Sequence, residues 1–265
     1  MRTLTRTIIM AVVLSTAGCT MTNPKTTGPR SVSRTAMTKV TGTASTATPS
    51  TSKPAPGPGQ QEEELPYWFN PKIHNLGNVG VMGAIHALVA PLATHLIDRL
   101  AYGGADARKL VHATMRPEYS VVDLACGVGF SSYKGALGVD TSAQMVAFAR
   151  MRRPDCTFVK GNAETFGEDA STDMVTVMFG FHEMPREARR KVLRNAARIA
   201  RKEVIIVDID PDFTPSDVML SGEPYVLEYL RNVDEDISEV ARNRAWKSAR
   251  VNVVPGHVIM WRLYL

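Results

Sequence analysis

Residues 121–130, Val-Val-Asp-Leu-Ala-Cys-Gly-Val-Gly-Phe, put a carboxylate (Asp123) and two glycines (Gly127, Gly129) at the end of an apolar run. An apolar run entering Gly-x-Gly reads as a buried parallel strand whose closing loop lets backbone come close to a ligand. At residues 138–140, Gly-Val-Asp ends a second such run on the carboxylate of Asp140. Ligands of doubly wound α/β sheets sit outside the carboxyl ends of the strands, so the glycine loop and Asp140 are expected to face one crevice. That arrangement is a nucleotide site. A second centre follows the run Asp173–Phe179, where Gly180-Phe181-His182-Glu183-Met184-Pro185 places an imidazole, the group best suited to move protons near neutral pH, at a strand end.

The elements that must position these groups follow from periodicity and punctuation. Strands are expected at 121–124, up to Asp140, at Cys156–Lys160, Asp173–Phe179 and Glu203–Asp208, with a terminal hairpin in Ala249–Leu265 broken at Pro255-Gly256. Thr141 or Ser142 caps a helix through Arg150. Pro185 starts an amphipathic helix to about Ala200, with Ala188, Val192, Leu193, Ala196 and Ile199 at helical spacing. Its basic residues, Arg186 to Arg198, read as a solvated face. Helical segments fill 215–246. Upstream, an apolar helix spans 81–97 with Pro91 as a kink, and another runs from Asp106 to Met115. Tyr67, Trp68 and His86 read as packing residues. His74 and Asn75 stand at a loop-to-helix join, where capping competes with ligand contact.

Four segments in order, Asp-Leu-Ala-Cys-Gly-Val-Gly-Phe (123–130), Gly-Val-Asp-Thr-Ser (138–142), Lys-Gly-Asn-Ala-Glu (160–164) and Asp-Met-Val-Thr-Val-Met-Phe-Gly-Phe-His-Glu-Met-Pro (173–185), resemble the class I S-adenosylmethionine (SAM) dependent methyltransferases. The likeness is to the small-molecule branch with the ubiquinone and menaquinone methyltransferases, and extends from Tyr67 to the C-terminus. It implies a Rossmann-like, doubly wound, seven-stranded α/β sheet with an antiparallel last strand and an N-terminal helical cap. It also implies that Gly127 and Gly129 pass against the amino-acid part of SAM, that Asp123 organises the loop near the ammonium, and that Asp140 accepts both ribose hydroxyls. Asn162, where relatives carry Asp, accepts from the adenine amino group, and Ala163 and Glu164 line the adenine edge. Ala125, Thr141 and Phe179 complete the expected cofactor set. His182 is the candidate base for a phenolic or quinone-like acceptor; ordering the loop or stacking on the cofactor are its other readings. Tyr225, Tyr229 and Met219 either wall the acceptor pocket or simply pack. An aspartate used by metal-dependent relatives after the fourth strand is missing, so no metal is expected despite Asp208 and Asp210.

One departure stands out. Only Phe130 to Ala136 separate Gly129 from the second strand, whereas a βαβ crossover with its helix needs about 10–12 residues or more. The first crossover helix is therefore expected to be shortened to a turn or lost, the sheet face thinly covered, and the SAM amino-acid end loosely held. A methyltransferase-fold protein that binds without turnover is the alternative function. A nicotinamide dinucleotide enzyme fits poorly, because the third glycine is missing and the carboxylate comes earlier than that fingerprint requires.

The 265 residues divide into a leader and linker (1–60), a helical cap (61–117) and a SAM-binding domain (118–265). Seven of the 31 Lys and Arg lie in 1–60 with no Asp or Glu, so 24 basic residues face 26 acidic ones in the remainder. That balance provides no electrostatic footprint for nucleic acid. The leader carries Arg2 and Arg6, a short apolar stretch at 8–14 that is too brief to span a bilayer, and a Ser/Thr/Pro-rich, acid-free tail. It reads as a plastid or mitochondrial address, with a secretory or membrane-anchoring signal ending near Cys19 as the alternative. No spanning segment is expected in the mature domain, and the oligomeric state is left open. Cys126 and Cys156 read as thiols in a reducing compartment.

Overall fold

The computed structural model describes residues 65–265; the leader assigned to 1–60 lies outside them. The strands are β1 Val121–Leu124, β2 Leu137–Asp140, β3 Thr157–Lys160, β4 Thr172–Met178, β5 Ala200–Ile209, β6 Lys247–Val254 and β7 Val258–Tyr264. They form one sheet in the order β3-β2-β1-β4-β5-β7-β6. The first five pair in parallel, and β7 runs antiparallel to both β5 and β6. This is the seven-stranded sheet with an antiparallel last strand that the family resemblance implies. The order reverses between β1 and β4, the place where doubly wound sheets open a crevice.

The helices among the described residues are α1 Gly80–Leu100, α2 Ala107–His112, α3 Ala143–Arg152, α4 Arg186–Ile199, α5 Asp217–Gly222 and α6 Val226–Asn243. Every residue of β1 is buried, as a strand covered on both faces must be. On one face Leu124, Val177 and Ile206 pack against Leu193 of α4 and Ile237 of α6. On the other, Val121, Met174 and Ile205 pack against Ala107 and Val111 of α2. Local signals start the helices: Asp106 accepts the Lys109 N–H at 3.0 Å, and Ser142 Oγ accepts that of Met145 at 3.2 Å. Ser142, not Thr141, is thus the cap of α3. α1 continues through Pro91. It is long and apolar enough to cross a bilayer by those two measures alone. Its buried His86 and Asp98 tie it to the domain.

Between β1 and β2 the chain forms only turns, so the crossover helix is absent altogether. Other groups take up its backbone polar atoms, as burial requires. Arg153, just past α3, donates to the carbonyls of Gly129 at 2.9 Å and Ser132 at 2.8 Å, and the Gly135 N–H donates to Asp155 O at 3.0 Å. Beside the crossover loop α1 packs on α3, and Ala87 closes with Val128 and Met145 into a small buried cluster.

The basic side of α4 is solvated only in part: Lys191 and Arg194 are exposed, but Arg189 is not. Arg189 is fully buried, its guanidinium 3.2 Å from the equally buried Asp236 of α6 and bonded to Met184 O at 3.3 Å. Arg186 and Arg190 reach Asp236 and Glu239 from the same side. Charge complementarity between α4 and α6, invisible to helical periodicity, turns Arg189 inward. Asp236→Ala strips Arg189 of its counterion and is expected to lower the urea unfolding free energy by about 3–5 kcal/mol.

Candidate active site

β1 and β2 end side by side, and one hydrogen bond joins their loops: the Gly127 N–H donates to Asp140 Oδ2 at 2.9 Å. Ser142 N–H holds the other oxygen at 2.8 Å. Burial pushes the Asp140 carboxyl up to about 6, against the pull of these two donors. Ala125 (φ 57°) and Gly127 (φ 51°) both take left-handed backbone here. A Cβ built on Gly127 meets nothing within 4 Å, so the loop faces open space. That space is a cavity of about 300 Å³ whose walls include Ala125, Gly127, Asp140, Thr141, Ala163 and Phe179. The structure thus brings six of the residues expected to bind cofactor to one wall.

The other four do not line it. Asp123 is buried beneath the loop, accepting the hydroxyls of Ser132 and Thr176 at 2.6 Å each. It organises the loop, as expected, but through Ser132 and away from the cavity. Gly129 (φ 71°) is a packing glycine, since a Cβ there would lie 2.6 Å from the Phe158 ring. Asn162 spends its side-chain oxygen on the Glu164 N–H at 2.8 Å, shaping the turn. Glu164 faces Lys191, 3.9 Å away.

The same cavity runs on to a cluster of ionisable groups. His182, in the short 3-10 turn Phe181–Glu183 that follows β4, also lines it. Its Nδ1 lies 2.6 Å from Asp208 Oδ1, and Asp208 Oδ2 accepts the N–H groups of Phe181 at 2.8 Å and His182 at 3.3 Å. Burial is the largest single effect and pulls the imidazole down, but Asp208, helped by Glu223 and Glu183, outweighs it and raises the pKa to about 9. Asp208, considered from sequence only as a metal ligand, is therefore the orienting partner of His182.

His74 sits between two carboxylates, with Nε2 2.8 Å from Glu183 and Nδ1 2.6 Å from Glu223. Burial disfavours its charge, yet Glu223 and Glu183 hold it well above the usual histidine range. With both nitrogens donating, it is an imidazolium clamp between the N-terminal cap and the sheet. Its φ of 50° is the strained backbone that delivers it there. Beside it, His86 lines the cavity and is neutral, held down to about 4 by burial and by the neighbouring His74 charge. Tyr67, Trp68 and Met219 line the cavity as well, so the first two do more than pack. Tyr229 is fully buried and bonds the Ile209 carbonyl, while Tyr225 meets Asn70 at 3.3 Å. Sequence reasoning missed Arg108 and Glu223, which no motif flags.

The methyltransferase-domain family matches residues 121–203. A demethylmenaquinone methyltransferase of Beutenbergia cavernae is 33% identical over 173 residues, covering 54% of this chain and 72% of that protein. An amino-sugar N,N-dimethyltransferase acting on dTDP-3-amino-3,6-dideoxy-alpha-D-glucopyranose, from Streptomyces fradiae, is 30% identical over 123 residues, 42% of this chain and 48% of its own. A solved SAM-dependent methyltransferase from Thermotoga maritima aligns over 68% of this chain and 97% of its own, at 18% identity and a TM-score of 0.48. The chain belongs to the class I SAM-dependent methyltransferases.

SAM fits the cavity on two counts: the open space over Gly127 and the half-buried carboxylate of Asp140, which can accept the ribose hydroxyls. Asp140 carries its charge only above about pH 6. Affinity for S-adenosylhomocysteine is therefore expected to fall as pH drops from 7 to 5, and Asp140→Asn to weaken binding and flatten that dependence. Titration calorimetry across the range reads both.

Proposed function

We propose that the protein methylates a small phenolic or quinol-like acceptor. The observation that carries this reading is one cavity joining Asp140 and the glycine loop to the His182–Asp208 pair. Bound SAM supplies an activated methyl group, so the chain has chiefly to align acceptor oxygen, methyl carbon and sulfur, an orientation worth about 7–11 kcal/mol. Tyr67, Trp68 and Met219 provide apolar walls for a ring. Similarity to the Beutenbergia demethylmenaquinone methyltransferase supports an aromatic acceptor. The basic, acid-free leader supports an organelle address.

Asp208 occupies His182 Nδ1 and leaves Nε2 to take the acceptor's hydroxyl proton as oxygen bonds to the methyl carbon and S-adenosylhomocysteine departs. With a pKa of about 9, His182 is protonated at neutral pH and becomes a base as the pH rises. kcat/KM for a phenolic acceptor is expected to climb nearly tenfold per pH unit from 7 towards 9 and then level. His182→Gln removes the rise and costs about 10²–10⁴-fold in rate. An unchanged profile in that variant refutes the base role. Labelled SAM incubated with an organelle extract tests the activity itself: bound SAM without methylated product favours the binding-protein reading.

A further inference from the structure

Doubly wound folds commonly meet an anionic ligand group with the N-terminus of the helix that follows the glycine loop. This chain has no helix there, only turns. A cation stands at the place instead. Arg108 of α2 donates from Nε to Ser131 Oγ, in the crossover, at 3.1 Å. Its guanidinium carbon lies 5.0 Å from the centre of the Phe130 ring and 4.5 Å from that of Phe179, a cation–π pairing that holds the plane at the mouth of the loop. Among the described residues lining the cavity it is the one Arg or Lys.

The arginine is incompletely matched. Its side chain is 13% exposed, and Nη1 is buried without a hydrogen bond. The nearest anion is Asp98 Oδ1, 3.5 Å away and itself without a hydrogen-bond partner. Burial pushes the Asp98 carboxyl up in spite of the arginine. A guanidinium stays charged in a protein, so this buried N–H calls for an acceptor that the protein does not supply.

We propose that Arg108 binds the carboxylate of the SAM amino-acid portion, replacing the helix N-terminus lost with the crossover. The proposal rests on the reading of the cavity as the SAM site. Asp140 then serves the sugar and Arg108 the opposite, anionic end, so the amino-acid portion is held by a side chain rather than by backbone. The guanidinium, fixed by Ser131, Phe130 and Phe179, is already in place before a ligand arrives.

Titration calorimetry on the full chain separates the two ends of the ligand, using SAM, decarboxylated SAM and 5′-methylthioadenosine. The wild type is expected to bind SAM about ten- to hundredfold more tightly than the decarboxylated form, the range of one charged hydrogen bond. Arg108→Met abolishes that preference and leaves methylthioadenosine affinity within about threefold, whereas Arg108→Lys retains part of it. Asp98→Asn, which removes the competing anion without touching the arginine, strengthens the preference and serves as the second variant should Arg108→Met melt early. A wild type indifferent to the carboxylate, or an Arg108→Met protein that keeps its preference, overturns the assignment while leaving the SAM site intact. Failure of all three ligands to bind the wild type overturns the SAM site as well.

Discussion

The hydrogen bond from the Gly127 N–H to Asp140 is the constraint on which the rest of the site depends. It joins the ends of two parallel strands, one finishing in glycine-bearing loop and one in a carboxylate, beside the point where strand order reverses. Parallel neighbours bring their carboxyl ends to the same edge of the sheet, so the bond follows from the pairing of Leu124 with Val139 a few residues earlier. Asp123 supports it from below through Ser132, and Ser142 supports it from the far side while starting α3. A half-buried carboxylate is tolerable because each of its oxygens has a donor, although burial still raises its pKa.

Around the acceptor end the same logic is applied to more charges. Glu183, Glu223 and Asp208 enter a half-dry region and are each met by a histidine nitrogen. Pairing makes the histidines cationic where burial alone would neutralise them. His74 does the long-range part: one ring spans the cap, the turn after β4 and the segment after α5, elements that share no strand pairing. The acceptor wall is consequently assembled by electrostatics, and the cofactor wall by backbone geometry.

The missing crossover helix shows how far such a sheet can be altered without losing its edge. Its three jobs pass to different parts of the chain. Arg153 satisfies the orphaned carbonyls, and α1 packs Ala87 against Val128 of the loop and Met145 of α3. The anionic end of the ligand falls to Arg108. None of these substitutes lies in the shortened segment itself.

Much of this was legible in the residues alone. Apolar runs ending in Gly-x-Gly or Asp, a cap at Thr141 or Ser142, and the Pro255-Gly256 break mark out strands and helices along the chain, because these are local effects of backbone geometry and hydrogen bonding. Gly127 and Asp140 were legible from the strand ends they follow, while Ala125, Thr141, Ala163 and Phe179 came from the family resemblance of the motifs that contain them. Only the tertiary structure decided that Gly129 packs on Phe158, that Asn162 turns its own loop, that Arg189 points inward and that Arg108 reaches the cavity. Those outcomes depend on which side chains from remote elements arrive at the same place, and burial, not sequence spacing, sets whether a charge there is paired, neutral or left waiting for a ligand.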